Sequence, residues 1–459
     1  MPNSPLQFVI LAAGQGKRMR SAQAKMLHSL AGIPLVAHVI EAAREARPLS
    51  IAMVVGHGGD AVEKALAAPD LVFVRQDPPR GTGDAVRCAL AVLPHDGVTV
   101  VANGDCPLIP AATFAALADV AAHGRLALLT ARVADPHGLG RVLRAADGSV
   151  RTIVEERDAS AAERAIHEIY TGALAAPSAL LAAWVAKLTA HNAQGEFYLT
   201  DVVAMALADG VPVHAELADD ADVARGVNDR AQLADAERIV QRRRANALML
   251  GGTTLADPGR IDVRGTLTAA SDTFIDVGCV FEGEVTLAEG AEVGPYCLLR
   301  DTRVGPGARI HAFSHLEGAV VGAHARVGPY ARLRPGAALA EDVHIGNFVE
   351  VKAATMGARS KANHLAYIGD ATVGADVNFG AGSITANYDG ANKHRTLIGD
   401  GVHIGSNCVL VAPIDIGAGA TIGGGSTITQ AAPAGELTLA RARQVSVAGW
   451  QRPRKAKPS

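Results

Sequence analysis

From about residue 260 onward the chain repeats itself every six residues, and no other feature limits its fold so tightly. Aliphatic residues recur at Val293, Leu299, Val304 and Ile310, then at Val321, Val327, Leu333, Leu339, Ile345 and Val351. Most are followed by Gly or another small or polar residue, as in VGPYCL, VGPGAR, VGAHAR, IGNFVE, IGSNCV and IGAGAT. A fixed internal period outranks local propensity in setting a fold, and six residues are too few for a helix pair. The period fits one flat face of a β-solenoid. Each aliphatic side chain points inward, and Gly takes the corner, where a side chain would clash or φ is positive. Five-residue steps interrupt the count, as from Leu299 to Val304 and from Val351 to Met356. The polar stretch NYDGANKHRT at 387–396 reads as a loop thrown out of the coil.

The first half follows a different rule. Short apolar runs at 6–11, 51–55, 71–74, 98–102 and 126–131 read as strands, with helical patterns between them at 34–46 and 83–93. Such alternation predicts a mostly parallel sheet with helices on both faces, whose ligands sit beyond the carboxyl ends of the strands. At 229–250 apolar residues recur at helical spacing, with RRR at 242–244 on the wet side, which predicts a linker helix. The organisation is therefore an α/β domain over 1–228, a helical linker over 229–250, and a β-helix with a C-terminal tail over 251–459.

Bulk properties narrow the function. A length of 459 residues calls for two or three domains. The net charge of −3 gives no sign of a nucleic-acid or membrane partner. The basic tail RPRKAKPS reads as a frayed terminus rather than a binding arm. Five widely spaced cysteines without a C-x-x-C pair indicate neither a disulfide scaffold nor a zinc site. No apolar run is long enough for a membrane span, and the start of the chain lacks the basic-then-apolar pattern of a signal peptide, so a reducing cytoplasm is the simplest location.

Two constellations carry chemistry. After the first strand comes LAAGQGKRM at 11–19, a Gly-rich turn that lets backbone N–H groups approach a polyphosphate. It lacks the ending of a P-loop and the third Gly of a dinucleotide fingerprint. Arg18 and Lys25 add the fixed cations that phosphoryl chemistry needs. Gln76 with Gly81-Thr82-Gly83 forms a second Gly-rich turn, and Asn103-Gly104-Asp105 ends a strand, a common setting for an Asp that holds Mg²⁺. Asn228 closes this half. Any one of these alone is a turn; together they form a site. In the repeat region, polar residues break the apolar pattern at ARLRPG (331–336), Lys352, KANHLAYIGD (361–370), Asn378 and the 387–396 loop. A lone His on a solenoid surface needs no explanation, but here basic residues, a His, a Tyr and an extruded loop fall on neighbouring coils.

The strings LAAGQGKRM, QDPPRGTGDAV, GDCPL, GLGR and NAQGEFYLTD, together with the hexapeptide repeats, resemble the bacterial bifunctional GlmU family over nearly the whole chain. The resemblance implies a Rossmann-like nucleotidyltransferase domain followed by a left-handed parallel β-helix, and a homotrimer. It implies that Leu11, Ala12, Ala13, Gly14 and Lys25 meet UTP, that Gln76, Gly81 and Thr82 read the uracil, and that Gly140, Glu155 and the residue at Tyr170 meet the sugar. Asn103, Gly104 and Asp105 lie at the substrate, and Asp105 and Asn228 hold Mg²⁺. In the second domain His364 is the general base, a role suited to a neutral imidazole of ordinary pKa near 6.5. Arg334, Lys352, Tyr367, Asn378, Asn387 and Tyr388 hold the glucosamine phosphate or the acetyl group. Ala381, Lys393, Ser406, Gly424 and Arg441 lie along acetyl-CoA. The implied function is synthesis of UDP-N-acetylglucosamine, a precursor of peptidoglycan and lipopolysaccharide: acetylation of glucosamine 1-phosphate first, then uridylylation from UTP. Three positions depart from the family pattern. Asn103 stands where Tyr is common, Tyr170 where Asn is usual, and Gly424 where Ala is typical. A nucleotidyltransferase for another sugar, with a β-helix used only for assembly, and a binding protein without catalysis are the other readings; His364, Lys352 and the extruded loop argue against the first, the Asp105–Asn228 and His364 sets against the second.

Overall fold

The computed structural model describes residues 5–455, so the end of the basic tail lies outside the described residues. The chain divides into two compact units, Met1–Arg243 and Arg244–Ser459. The helix Arg230–Leu250 runs through the division. Among the described residues no helix is long and apolar enough to cross a membrane.

In the first unit the main sheet runs in the order Val213–Leu217, Leu126–Arg132, Glu168–Pro177, Val98–Asn103, Leu6–Ala12, Ser50–Val55, Leu71–Arg75. The five expected strands are all present, and the helical patterns become Leu35–Glu45 and Thr82–Leu90. Both faces are covered, which is why the strands read as continuous apolar runs. Phe8 and Ile10 pack on the side of Val36, Val39 and Phe114, whereas Val9 and Leu11 pack with Val86, Leu181 and Trp184. One central strand escaped the pattern: Glu168–Pro177 runs antiparallel to both neighbours. Its sequence, EIYTGALAAP, is dominated by small residues, so its place between two buried strands, not intrinsic propensity, decides its conformation. A hairpin of Arg141–Arg144 and Val150–Val154 extends from it.

The second unit is a parallel β-solenoid. Ile310 pairs with Val327 and Val327 with Ile345, so one coil takes 17 or 18 residues, or three hexapeptides with an occasional residue omitted. The five-residue steps in the sequence are those omissions. Every aliphatic position of the repeat is buried, from Val293 through Val351. A second inward position holds a small residue four places later, as Ala325 follows Val321 and Ala331 follows Val327. The glycine after the aliphatic has a steric cause: a Cβ on Gly322 would lie 2.5 Å from the backbone of Ala340 on the next coil.

The left-handed position is another residue, three after the aliphatic, and Gly does not dominate it. Tyr296, Phe313, Tyr330, Phe348 and Leu365 all occupy it with φ between 49° and 60°. A bulky side chain there costs roughly 1–2 kcal/mol. Part of that cost is offset by ring stacking, with centroids 5.3, 4.9 and 5.4 Å apart along Tyr296, Phe313, Tyr330 and Phe348. The rings remain about half exposed.

The extruded segment lies between the strands Ile384–Ala386 and Thr396–Ile398, and the coil resumes in register, with Phe379 pairing with Ile404. All five cysteines are free thiols. Burial pushes the Cys279 thiol up to about 11 and Cys297 to about 12. Leu333 stands between Leu316 and Val351 in the stacked core. Leu333→Ala should therefore cost about 2–5 kcal/mol of solenoid stability, read as a lower denaturant midpoint of the second unit.

Candidate active sites

The first constellation assembles along the carboxyl edge of the sheet. The strand Leu6–Ala12 delivers Leu11 and Ala12, and the chain continues through Ala13 and Gly14 into the turn that carries the exposed Arg18. Leu11 is the register partner of Asn103, and Gly104 N–H donates to Leu11 O at 2.9 Å. Lys25, 8% exposed, sits at the centre. Its Nζ lies 2.5 Å from Asp105 Oδ2 and donates to Asn228 Oδ1 at 3.1 Å. Val227 N–H donates to Asp105 O, which brings Asn228 across from the end of the unit. Two oxygen donors from distant parts of the chain thus converge on one cation. Among the described residues no cluster of three or more His, Cys, Asp or Glu side chains is placed to hold a metal. A carboxylate and an amide oxygen nevertheless fit Mg²⁺, which keeps several waters and takes other ligands from substrate phosphates.

Gln76 follows the strand Leu71–Arg75 and is almost fully buried. Its Nε2 donates to Gly81 O at 3.0 Å and Asp84 Oδ2 at 2.9 Å, which leaves its amide oxygen for a ligand. Gly81 has φ +107°, and a Cβ there would lie 2.6 Å from Phe197 O. Thr82 opens the helix Thr82–Leu90 and accepts from Leu199 N–H at 3.1 Å. The NAQGEFYLTD segment therefore packs directly against the second Gly-rich turn.

The residues expected at the sugar form one wall. Tyr170 N–H donates to Gly140 O at 2.9 Å, and Glu155 lies next to Gly140. Burial raises the Glu155 carboxyl pKa, and a 3.0 Å hydrogen bond from Thr200 Oγ1 works against that rise. The Tyr170 hydroxyl is buried without a hydrogen-bond partner, and burial and the nearby Glu155 hold its pKa far above that of a free phenol. The Asn103 amide lies over Gly172, where a Cβ would be 2.0 Å from Nδ2. Asn103 hydrogen-bonds the buried Cys106 and Cys106 in turn acts on Tyr170, so two of the three departures from the family pattern are neighbours.

The second constellation occupies consecutive coils. His344–Asn347 pairs with Lys361–His364, and Asn347 is the register partner of His364. His364 Nδ1 lies 2.8 Å from Asn347 Oδ1. A column continues above the histidine: Gly382 N–H donates to His364 O, Asn407 N–H to Ala381 O, and Gly425 N–H to Ser406 O. Ala381, Ser406 and Gly424 thus rise in line with His364, and Arg441 Nη1 reaches Gly424 O at 2.9 Å. Lys393, expected along acetyl-CoA with these residues, lies apart from the column, against Lys352, whose hydrogen bond and charge lower its pKa. Lys352 Nζ donates to Asp370 Oδ2 at 3.2 Å, and Asn387 Nδ2 donates to the same oxygen. Asn387 Nδ2 also reaches Tyr367 Oη at 3.4 Å, and Arg334 pairs with Glu350 at 2.8 Å. Asn378 is the register partner of Lys361. Tyr388 is exposed on the extruded loop, its hydroxyl bonded to Gly390 O.

Residues 8–195 match the MobA-like NTP transferase domain, 263–363 the GMPPB C-terminal domain, and 395–430 the bacterial transferase hexapeptide with six repeats. The bifunctional protein GlmU of Methylibium petroleiphilum is 57% identical over 98% of this chain and 99% of its own. Those of Acidovorax sp. and Ralstonia pickettii are each 54% identical over 98% of this chain, covering 98% and 99% of their own. The chain belongs to the bifunctional GlmU family. It is an enzyme with two activities, uridylyl transfer and acetyl transfer.

Four residues that touch these side chains were given no role by the sequence, although each lies inside a string it singled out. Asp84 anchors Gln76, Thr200 holds Glu155, Asp370 joins Lys352 to Asn387, and Asn347 meets His364. Asn347 also carries a positional signal: it stands one coil length before the histidine. Because the Tyr170 hydroxyl has no partner, Tyr170→Phe should stabilise the substrate-free protein by about 1 kcal/mol, seen as a higher melting temperature.

Proposed function

We propose that this chain makes UDP-N-acetylglucosamine in two steps, at the two clusters described above. One observation carries the reading: each unit holds its own complete set of polar residues, Lys25–Asp105–Asn228 in the first and His364 with its column in the second.

Acetyl transfer comes first. Glucosamine 1-phosphate binds through Arg334, Lys352 and Lys393, whose positive charges suit a phosphate, with Tyr367, Asn378, Asn387 and Tyr388 around the sugar. His364 takes a proton from the sugar ammonium. The neutral amine nitrogen then attacks the thioester carbonyl, the new C–N bond forms, the C–S bond breaks, and the thiolate of CoA leaves and takes up the proton that the nitrogen gives up. Ala381, Ser406, Gly424 and Arg441 supply a surface for the CoA chain that leads to the base. No cysteine lies at the base position, so transfer is direct.

Uridylyl transfer follows. UTP lies over Leu11, Ala12, Ala13 and Gly14, with Gln76, Gly81 and Thr82 at the uracil. Asn103, Gly104, Gly140, Glu155 and Tyr170 face the sugar. A phosphate oxygen of the sugar attacks the α-phosphorus in line, and the bond to the β-phosphate breaks to release pyrophosphate. Arg18 and Lys25 spread the developing charge. Asp105 and Asn228 hold Mg²⁺, which when bound neutralises charge on the phosphates. The enzyme works in the cytoplasm as a homotrimer. The exposed ring stack along Tyr296, Phe313, Tyr330 and Phe348 supports assembly, since it leaves an apolar edge for a neighbouring copy to cover.

Glucosamine 1-phosphate, acetyl-CoA, UTP and Mg²⁺ together should yield UDP-N-acetylglucosamine, CoA and pyrophosphate. Asp105→Ala should abolish pyrophosphate release and spare CoA release, and His364→Ala should do the reverse. Loss of both activities in either folded variant would sink the two-site reading. A burst of acetyl-enzyme in rapid-quench experiments would contradict direct transfer.

A further inference from the structure

We propose that Asn347 is the positioning residue of the acetyl-transfer site: it holds the His364 ring with Nδ1 protonated and Nε2 free to take the proton. This rests on His364 being the base. The two residues end adjacent parallel strands as register partners, and Nδ1 and Oδ1 are 2.8 Å apart. A carboxamide oxygen only accepts, so Nδ1 must donate; in a neutral imidazole the lone pair is then confined to Nε2. The backbone on both sides is fixed by the coil stack. Leu365 N–H donates to Asn347 O at 3.1 Å, and Gly382 N–H donates to His364 O at 3.4 Å. His364 itself is exposed, so packing alone does not choose its tautomer or its rotamer. The amide one coil below supplies that choice.

The use of an amide rather than a carboxylate has a chemical consequence. A carboxylate in the same hydrogen bond would stabilise the imidazolium and raise the pH at which the ring can accept a proton. The amide selects the tautomer without adding that charge. The titratable neighbour that interacts with this ring is His344, which is also basic. The next residue up the column, Ala381, brings none. Asn347 therefore lets the ring stay neutral where a Glu or Asp would charge it.

Full-length Asn347→Ala, Asn347→Asp and His364→Ala test this. Acetyl transfer is followed as CoA-thiol release from about pH 6 to pH 9, with melting curves to confirm folding. In Asn347→Asp the folded-state pKa of the ring rises, so activity is lost at low pH and returns as pH increases. The acid limb of kcat should move up by about one pH unit. Asn347→Ala should lower kcat on the order of 10-fold with little change in KM for acetyl-CoA. An acid limb that stays in place in Asn347→Asp, or a kcat in Asn347→Ala within about twofold of the native enzyme, overturns the proposal. An equal loss at every pH in both variants assigns Asn347 to packing and also overturns it. If His364→Ala keeps acetyl transfer, the base assignment itself falls. If that variant is inactive and the limb does not move, only the role of Asn347 falls.

Discussion

Parallel hydrogen bonding from each coil to the next is the constraint on which the second unit depends. It satisfies the backbone along the stack and removes it from any other duty. It also sets who meets whom. A side chain on one coil stands over the residue 17 or 18 positions earlier, and insertions inside a coil must leave the stack to preserve that pairing. Asn347, His364, Ala381, Ser406 and Gly424 form a straight line for this reason alone, although no local motif joins them. The same register places the left-handed residues above one another. Ring stacking at Tyr296, Phe313, Tyr330 and Phe348 offsets part of the cost of those backbone angles.

The first unit reaches its site by a different route. Strands with both faces buried can offer ligands only their ends, and here the ends of Leu6–Ala12, Leu71–Arg75 and Val98–Asn103 lie along one edge. Asp105 and Asn228 are separated by more than half of this unit, yet they share one ammonium. A carboxylate that is four-fifths buried would be costly without a cation, and Lys25 is the cation the chain itself provides. The arrangement keeps the two oxygens pointed at a common centre before any substrate arrives.

Much of this was legible in the residues. All ten aliphatic positions read from the hexapeptide period, Val293 to Val351, point inward, and the apolar runs located five strands to within a residue at either end. The helix Arg230–Leu250 and the extruded loop were equally clear. The strand Glu168–Pro177 was not, because its alanines and glycine carry no period-two signal and its conformation comes from its neighbours. Of the two reasons expected for Gly after the aliphatic residue, the steric one holds, through contact with the next coil. Positive φ falls two residues further on, often at Tyr or Phe. Chemistry-bearing residues in recognisable strings were found readily. Those that act on other side chains, such as Asp370, Asp84 and Thr200, lay within those strings without a readable role, since their partners are fixed by tertiary contacts and not by spacing.

The extruded loop holds itself together. Asp389 accepts hydrogen bonds from Ala391 N–H at 2.8 Å and Asn392 N–H at 2.6 Å, and pairs with His394 at 2.6 Å, while Tyr388 bridges to Lys393. These contacts and the basic His394 hold the Asp389 carboxyl well below the usual range. Its tip is therefore shaped within the loop, while Asn387 and Arg395 tie its two ends to Tyr367, Asp370 and Thr372 on the coil. Arg334 and Lys352 are tied to the pitch of the solenoid, but Lys393 arrives on a separately folded cassette. A chain built this way can lengthen, shorten or recharge the cassette without shifting any rung beneath it.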